Sequence, residues 1–267
     1  MLLSQSFSDL PLRTLHRFDE MILPHAAAWV LEGCASEPVM LGNLVESHRS
    51  TRLDPSILWF GVPADGSLPS LLALLPEAER IQIRCLRCGR DQWSVAAARA
   101  AARILLSQRL DCPAQDIALA RDDRGKPSLD PRRHGTMAKQ LYFSISHTRE
   151  LVAVAIGHGR VGIDVEAVRE FPDLMQVASM QFAHEMLHDL LAVEADTERA
   201  ALFFRFWTLG EAFIKATGEG IAQGLQSFAF PARGHPTLIR VNELWGPPDR
   251  WRFGTLRWGA LPPNGDS

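Results

Sequence analysis

The period of the hydrophobic positions changes along the chain, and each change marks an element. Ser94 to Leu106 is rich in alanine and free of Gly and Pro, which predicts a helix that Ser94 can cap. Arg99 and Arg103 stand four apart on one face of it, read here as solvated. Leu141 to Ser146 alternates: Leu141, Phe143 and Ile145 on one side, Tyr142, Ser144 and Ser146 on the other, as in a strand. Leu151 to Ile156 is a continuous apolar run, and Val161 to Val165 a third strand. The links His147-Thr148-Arg149-Glu150 and Gly157-His158-Gly159-Arg160 are too short for a parallel crossover, so an antiparallel meander is expected. Helical patterning returns from Met175 through Leu190 and from Glu198 to Lys215, closed by Gly218-Glu219-Gly220. Elsewhere Ala26 to Leu31 reads as a short helix, and Ile57 to Val62 as a strand. Leu225 to Phe230 and Leu238 to Val241 also read as short strands.

A mid-chain set of strands with helices before and after makes an α+β fold. The order strand, helix, strands occurs roughly twice. Two similar halves are therefore expected: residues 1–157, with an extension to about residue 55 that carries no usable motif, and residues 160–250. Residues 251–267 are expected to be a tail whose Pro262-Pro263-Asn264-Gly265 frays.

Composition narrows the function classes. The 267 residues carry a formal net charge of −3, which gives no case for a nucleic-acid footprint or a polybasic membrane anchor. No apolar run approaches membrane-spanning length and no leader pattern opens the chain, so a cytoplasmic protein is expected. Of the four cysteines, Cys85-Leu86-Arg87-Cys88 is a lone C-x-x-C, read as ordinary thiols.

Several constellations could carry chemistry. In Gly162-Ile163-Asp164-Val165-Glu166 the two acids share one face of a strand, either as a solvated edge or as hard oxygen ligands for magnesium. Glu211 and Lys215 share one face of the helix Phe206 to Lys215, as an ion pair or as a metal ligand beside a phosphate clamp. Ser144-Ile145-Ser146-His147 ends a strand with groups that can bind phosphate oxygens, and Lys126 sits in the turn Gly125-Lys126-Pro127. Gly157 to Gly162 matches G-x-G-x-x-G but leads into a strand, where a dinucleotide fingerprint must open a helix. His184-Glu185-Met186-Leu187-His188 matches the H-E-x-x-H of zinc hydrolases, using His184, His188 and Glu185.

Taken in order, these motifs resemble the 4′-phosphopantetheinyl transferases of the monomeric, pseudo-dimeric class, over roughly Ile57 to Phe230. Gly125-Lys126-Pro127 stands for the family's G-K-P, Phe143 to His147 for F-S-x-S-H, and Gly162 to Glu166 for G-I-D-x-E. Phe182 with Glu185 resembles F-x-x-x-E, one residue short, and Trp207 to Lys215 stands for W-x-x-K-E-A-x-x-K. The resemblance implies a monomer of two α+β halves related by pseudo-twofold symmetry, with coenzyme A in the cleft between them. It implies transfer of the 4′-phosphopantetheine arm to a serine of an apo acyl or peptidyl carrier protein, releasing 3′,5′-ADP. By the same analogy Asp164, Glu166 and Glu211 hold magnesium, and Lys126, Ser146 and His147 contact the coenzyme's phosphates. Lys215 stands near the pyrophosphate, and Glu211 or a metal-ordered water takes the serine proton. One position departs from the pattern: Gly210 stands where the family usually has lysine. It leaves open a weakly active carrier- or coenzyme-binding pseudoenzyme, alongside the zinc-hydrolase alternative.

Overall fold

A computed structural model describes residues 25–32, 39–42, 56–61, 68–220 and 224–258. The first part of the chain runs β1 (His25–Glu32), β2 (Val39–Gly42), β3 (Ser56–Gly61), α1 (Leu68–Ala73), α2 (Glu77–Arg84), α3 (Gly89–Leu110), β4 (Leu119–Arg121), β5 (Pro127–Leu129), α4 (Pro131–His134) and α5 (Met137–Gln140). It continues through β6 (Tyr142–His147), β7 (Leu151–Gly157), β8 (Val161–Ala167), α6 (Leu174–Gln181), α7 (His184–Leu191), α8 (Asp196–Thr217) and β9 (Trp251–Trp258). The contacts divide the chain into two compact units: Met1–Arg17 with Ala35–Arg160, and Phe18–Cys34 with Val161–Ser267. Each has the α+β design of one 22-residue helix laid on a sheet: α3 on β6 and β7, α8 on β8 and β1.

In the first unit the strands lie in the order β2-β3-β7-β6. β2 and β3 are parallel, and β7 runs antiparallel to both β3 and β6. β7 is buried at all seven residues, which is why its sequence is apolar without alternation. The alanines of α3 (Ala96, Ala97, Ala100 and Ala101 among them) are buried against Leu58, Phe60, Phe143, Val152 and Val154. Small side chains let this helix approach the sheet closely.

The solvated face expected for Arg99 and Arg103 is not what forms. Arg103 is only 1% exposed and its Nη2 lies 2.9 Å from Glu79 Oε1 on α2. Arg99 is half-buried and hydrogen-bonds Gln82 Oε1 at 3.2 Å. The physical reason is that α2 covers this side of α3, so a guanidinium there must bring its own counter-charge. The helix also starts earlier than expected, at Gly89, and Ser94 lies inside it with its hydroxyl donating to Asp91 O.

In the second unit β1 is the central strand of the sheet β8-β1-β9 and runs antiparallel to both neighbours. Several expectations fail here. Residues 26–31 are strand, not helix. Six residues cannot nucleate a stable helix alone, while two flanking strands satisfy the whole backbone. β8 does not extend the β6–β7 hairpin: after Arg160 the chain crosses into the other unit, where β1 is already the available partner. The short-link rule holds for β6 and β7 and fails one strand later. Residues 251–258, expected in a tail, form β9 on the other side of β1. Leu225 to Ser227 is a 3-10 turn rather than a strand, and residues 228–241 contribute one isolated bridge, Ala229 to Arg240. The long helical stretch from Met175 breaks at Phe182, which is extended and starts α7 anew.

The core of this unit is aromatic. Phe213 meets Phe228 and Trp251 edge-on at 5.0 Å, and Phe230 meets Phe253 at 5.0 Å. Beneath α8 the chain needs glycine. A Cβ on Gly162 would lie 1.9 Å from Ala212 O and 2.8 Å from Ala216 N, both helix backbone atoms. Strand and helix therefore touch main chain to main chain.

Two measurements test these contacts. Glu79→Gln should cost about 2–4 kcal/mol in urea unfolding, because it leaves a buried guanidinium whose Nε and Nη1 find no other acceptor among the described residues. Adding Arg103→Met should recover most of that loss, and full stability in the single variant would refute the clamp. Gly162→Ala should cost about 3 kcal/mol or more, since backbone cannot move aside as a side-chain tip can. A loss below about 1 kcal/mol would show that the strand and helix are free to separate.

Candidate active site

Successive residues of β8 point to opposite sides: Ile163 and Val165 to one, Asp164 and Glu166 to the other, with Ile163, Asp164 and Val165 all buried and Glu166 partly so. α8 sets Trp207, Glu211 and Lys215 at successive four-residue steps, hence on one stripe. The contact at Gly162 brings that stripe to the acidic side of β8. Lys215 Nζ donates to Asp164 Oδ1 at 2.7 Å and to Ile163 O at 3.2 Å. Asp164 is 4% exposed, so this ion pair lies largely out of water. The ammonium thus bonds to the strand acid rather than pairing along the helix with Glu211.

The acids load one another. Burial, then the charge of Asp164, pushes Glu166 up to about 7, against the pull of Lys215 and the nearby Trp207 indole, with Glu211 adding to the rise. Burial and Asp164 likewise raise Glu211, and Lys215 opposes them. Three hard oxygen donors with too little positive charge among them fit a hard divalent cation in chemistry. Among the described residues no three such groups already stand close enough to hold one, so ligation requires the carboxylates to turn toward one another.

The other predicted residues lie in the first unit. β4 and β5 form a hairpin whose turn is organised by Asp122: its Oδ1 accepts from Arg124 N at 3.0 Å and Lys126 N at 2.8 Å. Gly125 takes φ +85°, which suits glycine, and its carbonyl accepts from Arg121. Burial, then Arg160, lowers Lys126 to about 8, with Asp122 opposing. Ser146 is buried and His147 exposed at the end of β6. There Thr148 closes the hairpin, accepting from Glu150 N and Leu151 N. The role of Asp122 was not drawn from the sequence. An Asp three residues before a Gly was the available sign.

Other motifs resolve into structure. His184 and His188 are exposed on α7, whose buried side is Met186 and Leu190. Glu185 is bound by Arg240 at 2.8 and 3.3 Å, which holds its carboxyl below the usual range. Nothing thereby favours a zinc centre. Phe182 is buried against Phe203 and Phe206. Gly157 to Gly162 joins two strands and opens no helix. Cys85 and Cys88 carry exposed free thiols. Gly210 is buried, and a Cβ there would come within 2.3 Å of Leu225 Cδ2 and 3.3 Å of Phe228 Cε2. The glycine thus leaves room at this place for the side chains of Leu225 and Phe228. No described helix is long and apolar enough to cross a membrane.

Sequence comparison completes the picture. Residues 160–259 match the model of the 4′-phosphopantetheinyl transferase superfamily, and residues 61–158 that of the 4′-phosphopantetheinyl transferase N-terminal domain. A putative 4′-phosphopantetheinyl transferase of Synechocystis sp. is 31% identical over 61% of this chain and 65% of its own length. The 4′-phosphopantetheinyl transferase gsp of Aneurinibacillus migulanus is 33% identical over 51% of this chain and 53% of its own. The 4′-phosphopantetheinyl transferase HetI of Nostoc sp. is 30% identical over 65% of this chain and 73% of its own. The matched stretch therefore spans from about half to about three quarters of these relatives. Two successive family matches, each on one unit's main segment and the second holding the acidic cluster, make this chain a member of the 4′-phosphopantetheinyl transferase superfamily.

Proposed function

We propose that this protein transfers the 4′-phosphopantetheine arm of coenzyme A to a serine hydroxyl of an apo acyl or peptidyl carrier protein, with magnesium, releasing 3′,5′-ADP. The observation that carries the reading is the meeting of Asp164, Glu166, Glu211 and Lys215 at the β8–α8 contact, within the family match.

Asp164, Glu166 and Glu211 are the magnesium ligands of this reading. When bound, the cation supplies charge neutralisation at the pyrophosphate of coenzyme A. Lys126, Ser146 and His147 hold the coenzyme's phosphates. Lys126 is suited to this, because an anionic phosphate restores the charge state that burial disfavours. The carrier serine oxygen bonds to the β-phosphorus as the bond to the 3′,5′-ADP oxygen breaks. Glu211, or a water ordered by the metal, takes the serine proton. Lys215, held by Asp164 in the resting protein, stands by the departing 5′-phosphate oxygen of 3′,5′-ADP. Most of the acceleration comes from positioning and electrostatics, as expected for phosphoryl transfer.

Glu166 also makes a statement about stability. Its carboxyl is near 4.5 when unfolded and about 7 when folded without metal, so the folded state holds the extra proton between those values. Stability contributed by the protonated group is present below pH 4.5 and lost as the pH rises through 7.

The decisive assay weighs an apo carrier domain after incubation with this protein, coenzyme A and magnesium. A gain of one phosphopantetheine is expected, abolished by EDTA and lowered at least about 100-fold by Asp164→Ala. No gain across acyl and peptidyl carriers, with coenzyme A still bound, would instead identify a pseudoenzyme. Separately, Glu166→Gln should stabilise the metal-free protein by roughly 1–2 kcal/mol at pH 8 and leave it unchanged near pH 4.5. Thermal unfolding at the two pH values reads this, and an equal effect at both would contradict the assigned titration.

A further inference from the structure

β4 and β5 make a ribbon of two strands only, paired Leu119 to Leu129, Ala120 to Ser128 and Arg121 to Pro127. Two strands alone are marginally stable in water, so the ribbon depends on how its ends are held. β5 packs on β6 and α5, whereas β4 is the outer strand with β5 as its principal neighbour. Asp122 holds the far end. Its carboxylate accepts from Lys126 N, and its own N–H donates to Lys126 O at 3.1 Å.

The near end is held by a side chain. The register places Ala118 opposite Asp130. From Asp122 and Lys126, which face each other across the turn, every second pair of an antiparallel ladder exchanges hydrogen bonds, and Ala118 with Asp130 is one of these. Only half of that exchange forms: Asp130 N donates to Ala118 O at 2.9 Å. The return bond needs Asp130 O, which already accepts from Arg133 N at 3.1 Å and His134 N at 2.9 Å, because Asp130 also caps α4. The switch from strand to helix thus leaves the Ala118 N–H over. It donates instead to His134 Nε2 at 2.9 Å. α4 takes one acceptor away and returns another from its own last residue. Ala118 and His134 are both half-buried, where a donor left without an acceptor is costly. The bond also fixes the state of the ring. Nε2 must accept, so the neutral imidazole carries its proton on Nδ1.

We propose that His134 is a positioning residue for Lys126, its imidazole standing in for the strand acceptor that Ala118 lacks and so fixing the line of β4. The mechanical path is short. β4 begins at the residue after Ala118 and ends against Asp122, which grips the backbone N–H of Lys126. Burial of Ile117 and Leu129 sets how deep the ribbon lies but has no direction. A hydrogen bond at the base has one, and it sets where along β5 the outer strand rests. The proposal rests on the reading of Lys126 as a residue that holds a phosphate of coenzyme A.

The test uses the full chain with coenzyme A and no carrier, so that nothing turns over. Affinity is read by isothermal titration calorimetry, with the unfolding temperature followed in parallel. Lys126→Ala should weaken binding. His134→Phe keeps a ring and deletes the acceptor, and should weaken binding roughly 3- to 10-fold, the worth of one net hydrogen bond. His134→Gln, whose amide oxygen stands as many bonds from Cα as Nε2 does, should restore most of that affinity. In the Lys126→Ala background His134→Phe should cost nothing further, since it acts through that lysine. A comparable loss in both backgrounds, or none in either, would overturn the positioning role and leave Lys126 in place. Wild-type affinity in Lys126→Ala, or no binding by wild type, would overturn the phosphate reading of Lys126, and the role of His134 with it. If the phenylalanine variant fails to fold, nuclear magnetic resonance of wild type with nitrogen-labelled histidine decides the matter. The His134 ring should be the Nδ1–H tautomer, and a proton found on Nε2 would refute the bond on which the proposal stands.

Discussion

The contact on which the second unit depends is that of two backbones. At Gly162 strand β8 comes so close to α8 that a single added carbon would overlap the carbonyl of Ala212. Side-chain packing normally keeps a helix about 10 Å from a sheet. Removing the side chain at the crossing closes that distance, and the groups on either side of it then meet without long reach. Asp164, only two residues beyond Gly162, has a short side chain and still finds the ammonium of Lys215. The glycine of G-I-D-x-E is thus as much a part of the site as the acids that follow it.

Such closeness carries an electrostatic cost. Two carboxylates of the cluster hold their protons more tightly than free ones do, because burial and Asp164 both oppose a further negative charge. The polar centre sits beside a core of close-packed aromatic rings and gains nothing from it except rigidity. On the proposed reading, a divalent cation would relieve strain of this kind, so that binding energy and preorganisation would come from the same source. Asp122 stiffens a turn so that a lysine with weakened proton affinity is presented from a defined backbone.

Much of the site was legible because its motifs are local. G-I-D-V-E on a strand and E-A-F-I-K on a helix state by their periods alone which groups share a face, and Asp164, Glu166, Glu211 and Lys215 do converge. Partners are not local, and there the sequence was silent. Nothing in Ala26 to Leu31 says that it will lie between β8 and β9, and alanine-rich composition argues for a helix until those neighbours exist. Arg103 looks like half of a solvated pair until α2 folds over it. Each misreading has one cause: a long-range contact overrode a short-range preference.

The placing of β1 bears on how the protein is made. The central strand of the second unit is synthesised more than a hundred residues before either strand that pairs with it. While the ribosome extends the first unit, this segment has no hydrogen-bonding mate, and the sheet cannot close until β9 has emerged. Contacts of such sequence separation are slow to form and carry a heavy loop-closure entropy. The second unit is therefore not an autonomous C-terminal module. Cut at the link after Gly157, it would retain β8 and β9 without the strand that joins them, two open edges of the sort that recruit other chains.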